Sequence, residues 1–512
     1  MAKLFSRIGA VRPGRSVFNL SYEKKFTCDM GQLIPIMCDE VVPGDTFKIG
    51  NEIVLRFQPL VAPILHEVNI FVHYFFVAYR LLWDDWENYI TGGVDGEFAV
   101  DPPKWIPQNV PMETAIGTLW DYMGFPIGVD PVGAYPLDFP KRAYNFIFNE
   151  YYRDQTLDEE IPLDQNPIYP YWRRWQKDYF TSALPWQQRG TAPAFPISGY
   201  TNAEFLGLIN ASATTGSGGA SFRNDPDGIR LHHGLVGAGS PTPDNIRAWF
   251  NNNRVDLSSA TTFDVADLRL AFQIQRWLER NARSGARYTE FLRAHFAVSP
   301  RDERLDRPEY IGGSRSPLII SEVLQTSQTT QGSDGSPQGN LAGHGIAVDR
   351  KYISSYKVKE FGLIMGIMSI MPRPAYQQGI NRQWLRRTKY DFYFPEFANL
   401  SEQGIENAEI VATNSEEHNL GLFGYQGRYN EMRYKENMVC GQMRGNLDYW
   451  HLGRKFSLTD PPKLNTEFIE ASDIRKDVFE VQNEHTCIVS FGNLIRAVRP
   501  MPIMSQPGLI DH

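Results

Sequence analysis

Hydrophobic and polar positions alternate with a period of two in three separated blocks of this chain. The first runs from Phe26 to Tyr79 and reads strand, turn, strand: FTCDMGQLIPI, the turn VPGDT, FKIGNEIVLRFQ with Ile53, Leu55 and Phe57 at every second position, then HEVNIFVHYFFVAY. Alternation rich in β-branched and aromatic residues and bounded by Pro and Gly predicts long strands joined by turns. The second block, YISSYKVKEFGLIMGIMSIM at 352–371, passes from alternation at Tyr356 and Val358 into an unbroken apolar run, so a half-buried strand leads into a fully buried one. The third is HTCIVSFGNLIRAVRP at 485–500.

Helical spacing is rarer. A short helix is predicted over Leu81–Ile90, another in RAYNFIFNEYYRDQ at 142–155, and the clearest over Asp264–Arg283. In the last, Leu268, Ala271, Phe272 and Leu278 share an inward side, Asp264 caps the first turn, and Gly285 ends it. Arg276, Arg280 and Arg283 fall toward its C-terminal end, where the macrodipole favours cations.

Two stretches, 210–253 and 326–345, are filled with Gly, Ser, Thr, Asn and Pro and read as surface excursions. Eight strands of ordinary length occupy only about 50–80 positions, so a β-sandwich of this chain carries most of its length in connections. Function is then expected in the loops.

Composition sharpens this reading. The 512 residues are 13% aromatic with 42 Gly and 34 Pro, a profile suited to strands and irregular structure more than to long helices. The formal net charge of −8 argues against a generally cationic nucleic-acid binder. The first 25 residues depart from that average: Lys3, Arg7, Arg12, Arg15, Lys24 and Lys25 face only Glu23.

Candidate chemistry is sparse. Cys28, Cys38, Cys440 and Cys487 form no CxxC pair, which points to neither a metal site nor a disulfide framework and fits a reducing compartment. No phosphate loop, HExxH, nucleophile elbow or dinucleotide fingerprint is present. The adjacent His232 and His233 diverge instead of converging on an ion, and the pairs Asp84–Asp85 and Glu159–Glu160 read as solvated faces. The basic start lacks the apolar run of a signal peptide, and 68–83 is too short and too charged to span a membrane. The chain is expected to be soluble and not secreted.

Aromatic residues are the strongest remaining signal. YWRRWQKDYF at 171–180 interleaves Trp172, Trp175, Tyr179 and Phe180 with Arg173, Arg174 and Lys177, and YFTSALPWQQRG at 179–190 adds Trp186 with a single charge, Arg189. Such a mixture suits either base stacking with phosphate neutralisation or a protein interface. The interface is the better match, with Trp186 as its anchor. An aromatic-rich β-sandwich carbohydrate-active enzyme or lectin, with Trp172 or Trp186 stacking on sugar, is the alternative from another class; the absence of a recognisable acid pair speaks against it.

Seven segments carry a family resemblance: RSVFNLSYEKKFTCDMGQLIPIMCDEVVPGDTF (15–47), YFTSALPWQQRG (179–190), ERNARSGARYTEFLRAHFAVSPRDERLDRPEYIGG (279–313), PQGNLAGHG (337–345), YQQGINRQWLRRTKYDFYFPEFANL (376–400), FGYQGRYNEMRYKENMVCGQMR (423–444) and LDYWHLG (447–453). In this order they resemble the major capsid protein of Microviridae, the gokushovirus-like branch. The resemblance implies a mainly β protein: a single eight-stranded antiparallel jelly roll of viral capsid type with large loop- and helix-containing insertions. It implies a structural protein, not an enzyme and without cofactor, that self-assembles into a sixty-copy T=1 icosahedral shell around circular single-stranded DNA.

On that resemblance residues 1–25 form a basic arm, 26–92 the first strands, and 93–345 an insertion-rich region with the excursion at 210–253 and the helix at 264–283. Residues 346–512 supply the remaining strands, insertions and tail. Lys3, Arg7, Arg12, Arg15, Lys24 and Lys25 are then expected to contact genome phosphates, the alternatives being a solvated tail or an arm that ties subunits together. Trp172, Arg173, Arg174, Trp175, Tyr179, Phe180 and Trp186 are expected at subunit interfaces. The implied partners are further copies of the chain, the genome on the inner face, minor, scaffolding and DNA-binding viral proteins, and the host cell surface outside. The implied location is the virion, assembled in the bacterial cytoplasm without membrane insertion.

Overall fold

The computed structural model describes residues 14–107, 115–193, 220–225, 228–233, 265–285, 287–324, 341–398 and 400–504. The chain divides into two compact units, one comprising Met1–Gln187 with Asn281–His512, the other Gln188–Arg280.

The larger unit is organised by one antiparallel sheet of nine strands. These are β1 (Ser16–Asn19), β2 (Tyr22–Cys28), β3 (Ile34–Val41), β4 (Thr46–Phe57), β5 (Val68–Ala78), β6 (Glu309–Leu324), β7 (Leu341–Lys357), β8 (Gly362–Pro372) and β9 (Cys487–Arg499). Their order is β1-β9-β4-β7-β6-β5-β8-β3, with β2 also on β9. Asn19 pairs with Arg496 and Tyr22 with Asn493, a single unbroken register, so β1 and β2 act as one edge strand interrupted at Leu20–Ser21.

The alternation read in the sequence decides which face is buried. On β4, Phe47, Ile49, Ile53, Leu55 and Phe57 point into the main core while Lys48, Glu52 and Arg56 are exposed. That core also collects Ile36 of β3, Ile70, Val72 and Tyr74 of β5, Ile364 and Met368 of β8, and Val489 and Phe491 of β9. Residues from both ends of the strand order therefore pack together, which requires the sheet to curl over on itself. Strand β6 makes the turn: Glu309–Leu318 pairs with β5, and Ile319–Leu324 pairs with β7.

The unbroken apolar run of β8 has its explanation in a second core. Its Leu363, Met365 and Ile367 join Leu33, Phe75 and Val77 on the opposite side of the sheet, under Trp105, Trp120, Phe139, Tyr144, Ile147 and Phe148 from the connection after β5. Both faces of β8 are covered, so every position is buried. A helix at Phe139–Ile147, continued by a π-turn at Phe148–Tyr152, supplies much of this cover, where the sequence predicts a helix over 142–155.

Several expectations are corrected. FTCDMGQLIPI is two strands, because between β2 and β3 the chain leaves β9 and crosses to β8. Gly31 makes the corner with φ +91°, and a Cβ there would lie 2.3 Å from the carbonyl oxygen of Ala471. Strand β6 falls in the region expected to hold insertions; Gly312, Gly313 and Pro317 obscure its alternation. Residues 341–345, read as part of an excursion, begin β7, and Gly345 is needed there because a Cβ would meet Phe57 at 2.6 Å. The remainder of that excursion, 326–340, lies outside the described residues. Leu81–Ile90 resolves into a 3-10 turn at Tyr79–Leu81 and a helix at Trp86–Thr91.

In the smaller unit a two-stranded hairpin joins Ala220–Asp225 to Gly228–His233, and the rest of 210–253 is outside the described residues. The predicted helix is found at Val265–Ser284, with Gly285 at φ +95° beyond its end; Asp264 lies outside the described residues. Phe272 is 62% exposed, not inward. Leu268, Ala271, Gln275 and Leu278, spaced three and four apart, are half-buried, and Phe272 is rotated about 100° from Ala271.

The two ends of the curled sheet meet through side chains. Lys24 of β2 donates to the carbonyl oxygens of Pro35 (2.9 Å) and Tyr122, and Asn493 of β9 donates to Ile36 (3.0 Å). The bonds to Pro35 and Ile36 satisfy carbonyls on the edge strand β3. Burial pushes the Lys24 ammonium down to about 8. The folded protein thus holds this proton less tightly than the unfolded chain does, and the lysine's contribution to stability rises as pH climbs through 8 toward the usual lysine range. The stability difference between wild type and Lys24→Met should therefore shift in favour of wild type by up to about 1.4 kcal/mol per pH unit in denaturant titrations above pH 8. Lys25→Met, at an exposed site, should show no such drift.

Candidate functional site

The aromatic segment at 171–190 is shaped by Asp178. Its carboxylate accepts from the backbone N–H groups of Phe180 (2.9 Å) and Thr181 (2.8 Å), the Thr181 hydroxyl (3.0 Å) and the Tyr376 hydroxyl (2.6 Å). Thr181 Oγ1 accepts in turn from the Asp178 N–H at 2.8 Å. Reciprocal bonds of this kind close a tight turn. The turn drives Tyr179 and Phe180 inward, where they form a third core with Tyr376, Ile405, Ile410 and Phe423. Beyond it, Leu184 and Tyr425 exchange backbone hydrogen bonds of 2.8 and 2.7 Å.

Tyr179 ends at a buried charge. Its hydroxyl donates to Glu409 Oε2 at 3.0 Å, and Arg382 holds Oε1 of the same carboxylate at 2.8 Å. Burial raises both the tyrosine hydroxyl and the Glu409 carboxyl above their ordinary values, with Arg382 acting in the opposite direction on each. The pair is structural: each polar atom faces a partner already supplied by the fold.

The cations and indoles just upstream are likewise engaged within the chain. Trp175 is buried, donates its indole N–H to Asp473 (2.9 Å) and lies 5.0 Å from the Arg454 guanidinium. Arg173 donates to Ser369 Oγ (2.7 Å) and stacks 4.3 Å from the Phe71 ring. Arg174 pairs with Asp158 at 2.7 Å and sits 5.3 Å from the Phe148 ring. Trp172 is half-buried and bridges Gln32, and Trp186 is also half-buried. Of the seven expected interface residues, Trp175, Tyr179 and Phe180 are thus in the interior, and the others keep only part of their surface.

The basic residues separate in the same way. Lys3, Arg7 and Arg12 lie outside the described residues. Arg15 and Lys25 are exposed, Lys25 with Glu23 at 3.5 Å, whereas Lys24 is the half-buried sheet-closing residue described above. Side chains that share a strand and a charge have opposite roles because alternate positions face opposite ways.

A different aromatic group occupies the surface. Three 3-10 turns, Arg382–Trp384, Lys389–Asp391 and Pro395–Phe397, fold the segment 380–398. Asp391 fixes the second by accepting from the N–H groups of Arg387 (2.9 Å) and Thr388 (2.7 Å). Trp384 is left 75% exposed, and Tyr390, Phe392, Tyr393 and Phe394 of the same segment are also exposed. Arg386 and Lys389 lie 5.2 and 5.0 Å from the Phe392 and Tyr390 rings. Exposed aromatic residues concentrated in one segment with neighbouring cations have the composition of an interaction surface. Its signal, the run KYDFYFPEF, is present in the sequence within a segment that carries the family resemblance, but composition alone does not tell an exposed aromatic run from a buried one.

Among the described residues no group of three or more His, Cys, Asp or Glu is placed to hold a metal ion, and no helix is long and apolar enough to cross a membrane. Cys28 and Cys487 face each other across the β2–β9 ladder, both buried and both free.

Comparison with known proteins gives this arrangement a family. The model of the family described as capsid protein (F protein) matches residues 6–509. Capsid protein VP1 of Chlamydia phage 1 is 34% identical over 99% of this chain and 98% of its own length. Capsid protein VP1 of Bdellovibrio phage phiMH2K is 34% identical over 91% of this chain and 90% of its own, and that of Spiroplasma virus 4 is 30% identical over 97% and 95%. A curled β-sheet wrapped in long aromatic connections, matched nearly end to end by phage capsid proteins of this Microviridae type, places the chain in the capsid protein (F protein) family, whose members are structural and not enzymes.

Proposed function

We propose that the curled sheet is a single eight-stranded jelly roll and that sixty copies assemble as a T=1 shell around circular single-stranded DNA. The observation that carries this reading is the strand order. With β1 and β2 counted as one, there are eight positions, the first strand lies beside the last, and consecutive strands β3 to β6 are divided between the two halves of the sheet. Such an order supports a double Greek key, an arrangement that protects its edges by packing one half on the other.

A closed shell requires each subunit to offer several faces to its neighbours. The exposed aromatic surface around Trp384 is one such face in this reading. Trp172 and Trp186, half-buried in the isolated chain, contribute at the margin of another. The arm at 1–25 contacts genome phosphates inside, and the excursion at 210–253 meets the host cell surface outside. Minor, scaffolding and DNA-binding viral proteins join the particle, which assembles in the bacterial cytoplasm.

Three outcomes test the reading. Negative-stain microscopy of the purified chain with its viral partners should show uniform small shells, and Trp384→Ala with Tyr390→Ala should abolish them while leaving the melting temperature within a few degrees; since hot-spot aromatics each contribute about 2 kcal/mol or more, retained shells would exclude this face from the interface. Deleting residues 1–15 should lower packaged DNA, measured by absorbance ratio, with empty shells still forming; loss of the shells themselves would point instead to an arm that ties subunits together. Exchanging residues 210–253 between related phages should transfer adsorption specificity, and unchanged host range would remove the receptor role.

A further inference from the structure

The two outer surfaces of the sheet are treated differently by the fold. Over β5, β8 and β3 the second core covers the strands. Over β1/β2, β9, β4 and β7 the outward positions carry a different population, and the registers place them in rows. Arg496 of β9 lies directly opposite Lys48 of β4, and both are exposed. Arg56 is two rows beyond Glu52 on β4, Arg350 of β7 is opposite Glu52, and Lys357 is opposite Thr46.

Like charges facing each other across a ladder are destabilising. Among the described residues, Lys48, Arg56, Lys357 and Arg496 have no carboxylate partner, although the chain carries 59 Asp and Glu against 51 Lys and Arg. The two carboxylates on this surface are already engaged: Glu23 with Lys25 at 3.5 Å and Glu52 with Arg350 at 3.8 Å. The surplus is therefore positive on an otherwise acidic protein.

The same surface is grooved. Gly50, Lys48, Arg350, Tyr352 and Arg496 are among the residues that border a groove of about 740 Å³. A break in register between Ile49 and Gly50 sets Tyr352 opposite Gly50, and its ring is 67% exposed. A cationic groove with an exposed aromatic ring combines the two features that hold single-stranded nucleic acid without sequence preference: phosphate neutralisation and a stacking platform.

We infer that this face, left open by the described residues, is a binding surface for single-stranded nucleic acid, with Lys48, Arg56, Arg350 and Arg496 taking phosphates and Tyr352 stacking on a base. The inference rests on the reading of the chain as a shell around single-stranded DNA and assigns the genome contact to the sheet itself, in addition to the arm.

The test is fluorescence anisotropy of a labelled single-stranded oligodeoxynucleotide with the full-length chain across a salt series. Lys48→Gln with Arg496→Gln should weaken binding at least about tenfold at low salt and flatten the log–log salt dependence by about 1.4, two cations at about 0.7 each. Its melting temperature should be unchanged or higher, because a repulsive pair has been removed. Tyr352→Ala should weaken binding without altering the salt slope. Unchanged affinity and slope in the double variant, absence of wild-type binding at low salt, or equal competition by polyglutamate would each overturn the inference. Negative-stain images of the same preparations keep the two readings apart: intact shells with lost oligonucleotide binding support this face, and absent wild-type shells count against the shell reading whatever the oligonucleotide does.

Discussion

Everything in the larger unit follows from one requirement: a single antiparallel sheet must bury one face against itself. Phe47 and Phe491 near one end of the strand order share a core with Ile36 and Ile70 near the other. No flat sheet brings those residues together. The curl is achieved covalently at β6, which pairs with β5 along its first part and with β7 along its second. It is completed by Lys24 and Asn493, which reach across the remaining gap to carbonyls of β3. An exposed strand edge is an invitation to uncontrolled pairing; here side chains occupy it.

Curling the sheet leaves two outer faces, and their fates differ. One receives the long connection after β5 and becomes the floor of a second aromatic core, so β8 is buried on both sides. The other is left open by the described residues and carries cations at alternate positions. Rigidity and a free face are therefore supplied by the same strands, and the connections determine which face is which. In a protein whose family assembles shells, this asymmetry gives each subunit a covered side and an open one.

The aromatic residues divide along similar lines. Tyr179, Phe180 and Trp175 stabilise the chain's own folding, through the Asp178 turn and through Asp473 and Arg454. Trp384 and the aromatics from Tyr390 to Phe394 are carried on short turns and keep much of their surface exposed, although Tyr393 also packs on Tyr429. Composition does not separate these two groups, since both are rich in aromatic residues, Arg and Lys. What separates them is whether a turn directs the rings toward the sheet or away from it.

By itself the sequence determined β4 and β9, which alternate cleanly, because a period of two encodes a buried and an exposed face whatever lies beyond, and it marked β5 and β8 by their apolar, β-branched and aromatic runs. It determined the family as well, through ordered segments spread along the chain. The tertiary structure alone decided β6, whose Gly312, Gly313 and Pro317 hide its pattern, and the role of Lys24, which no local rule distinguishes from its neighbour Lys25. It also decided that Lys48 and Arg496, 448 positions apart in the chain, stand opposite each other. Alternation is written in adjacent residues, whereas register and the choice of covered face depend on contacts between strands far apart in sequence, so only the folded chain could reveal them.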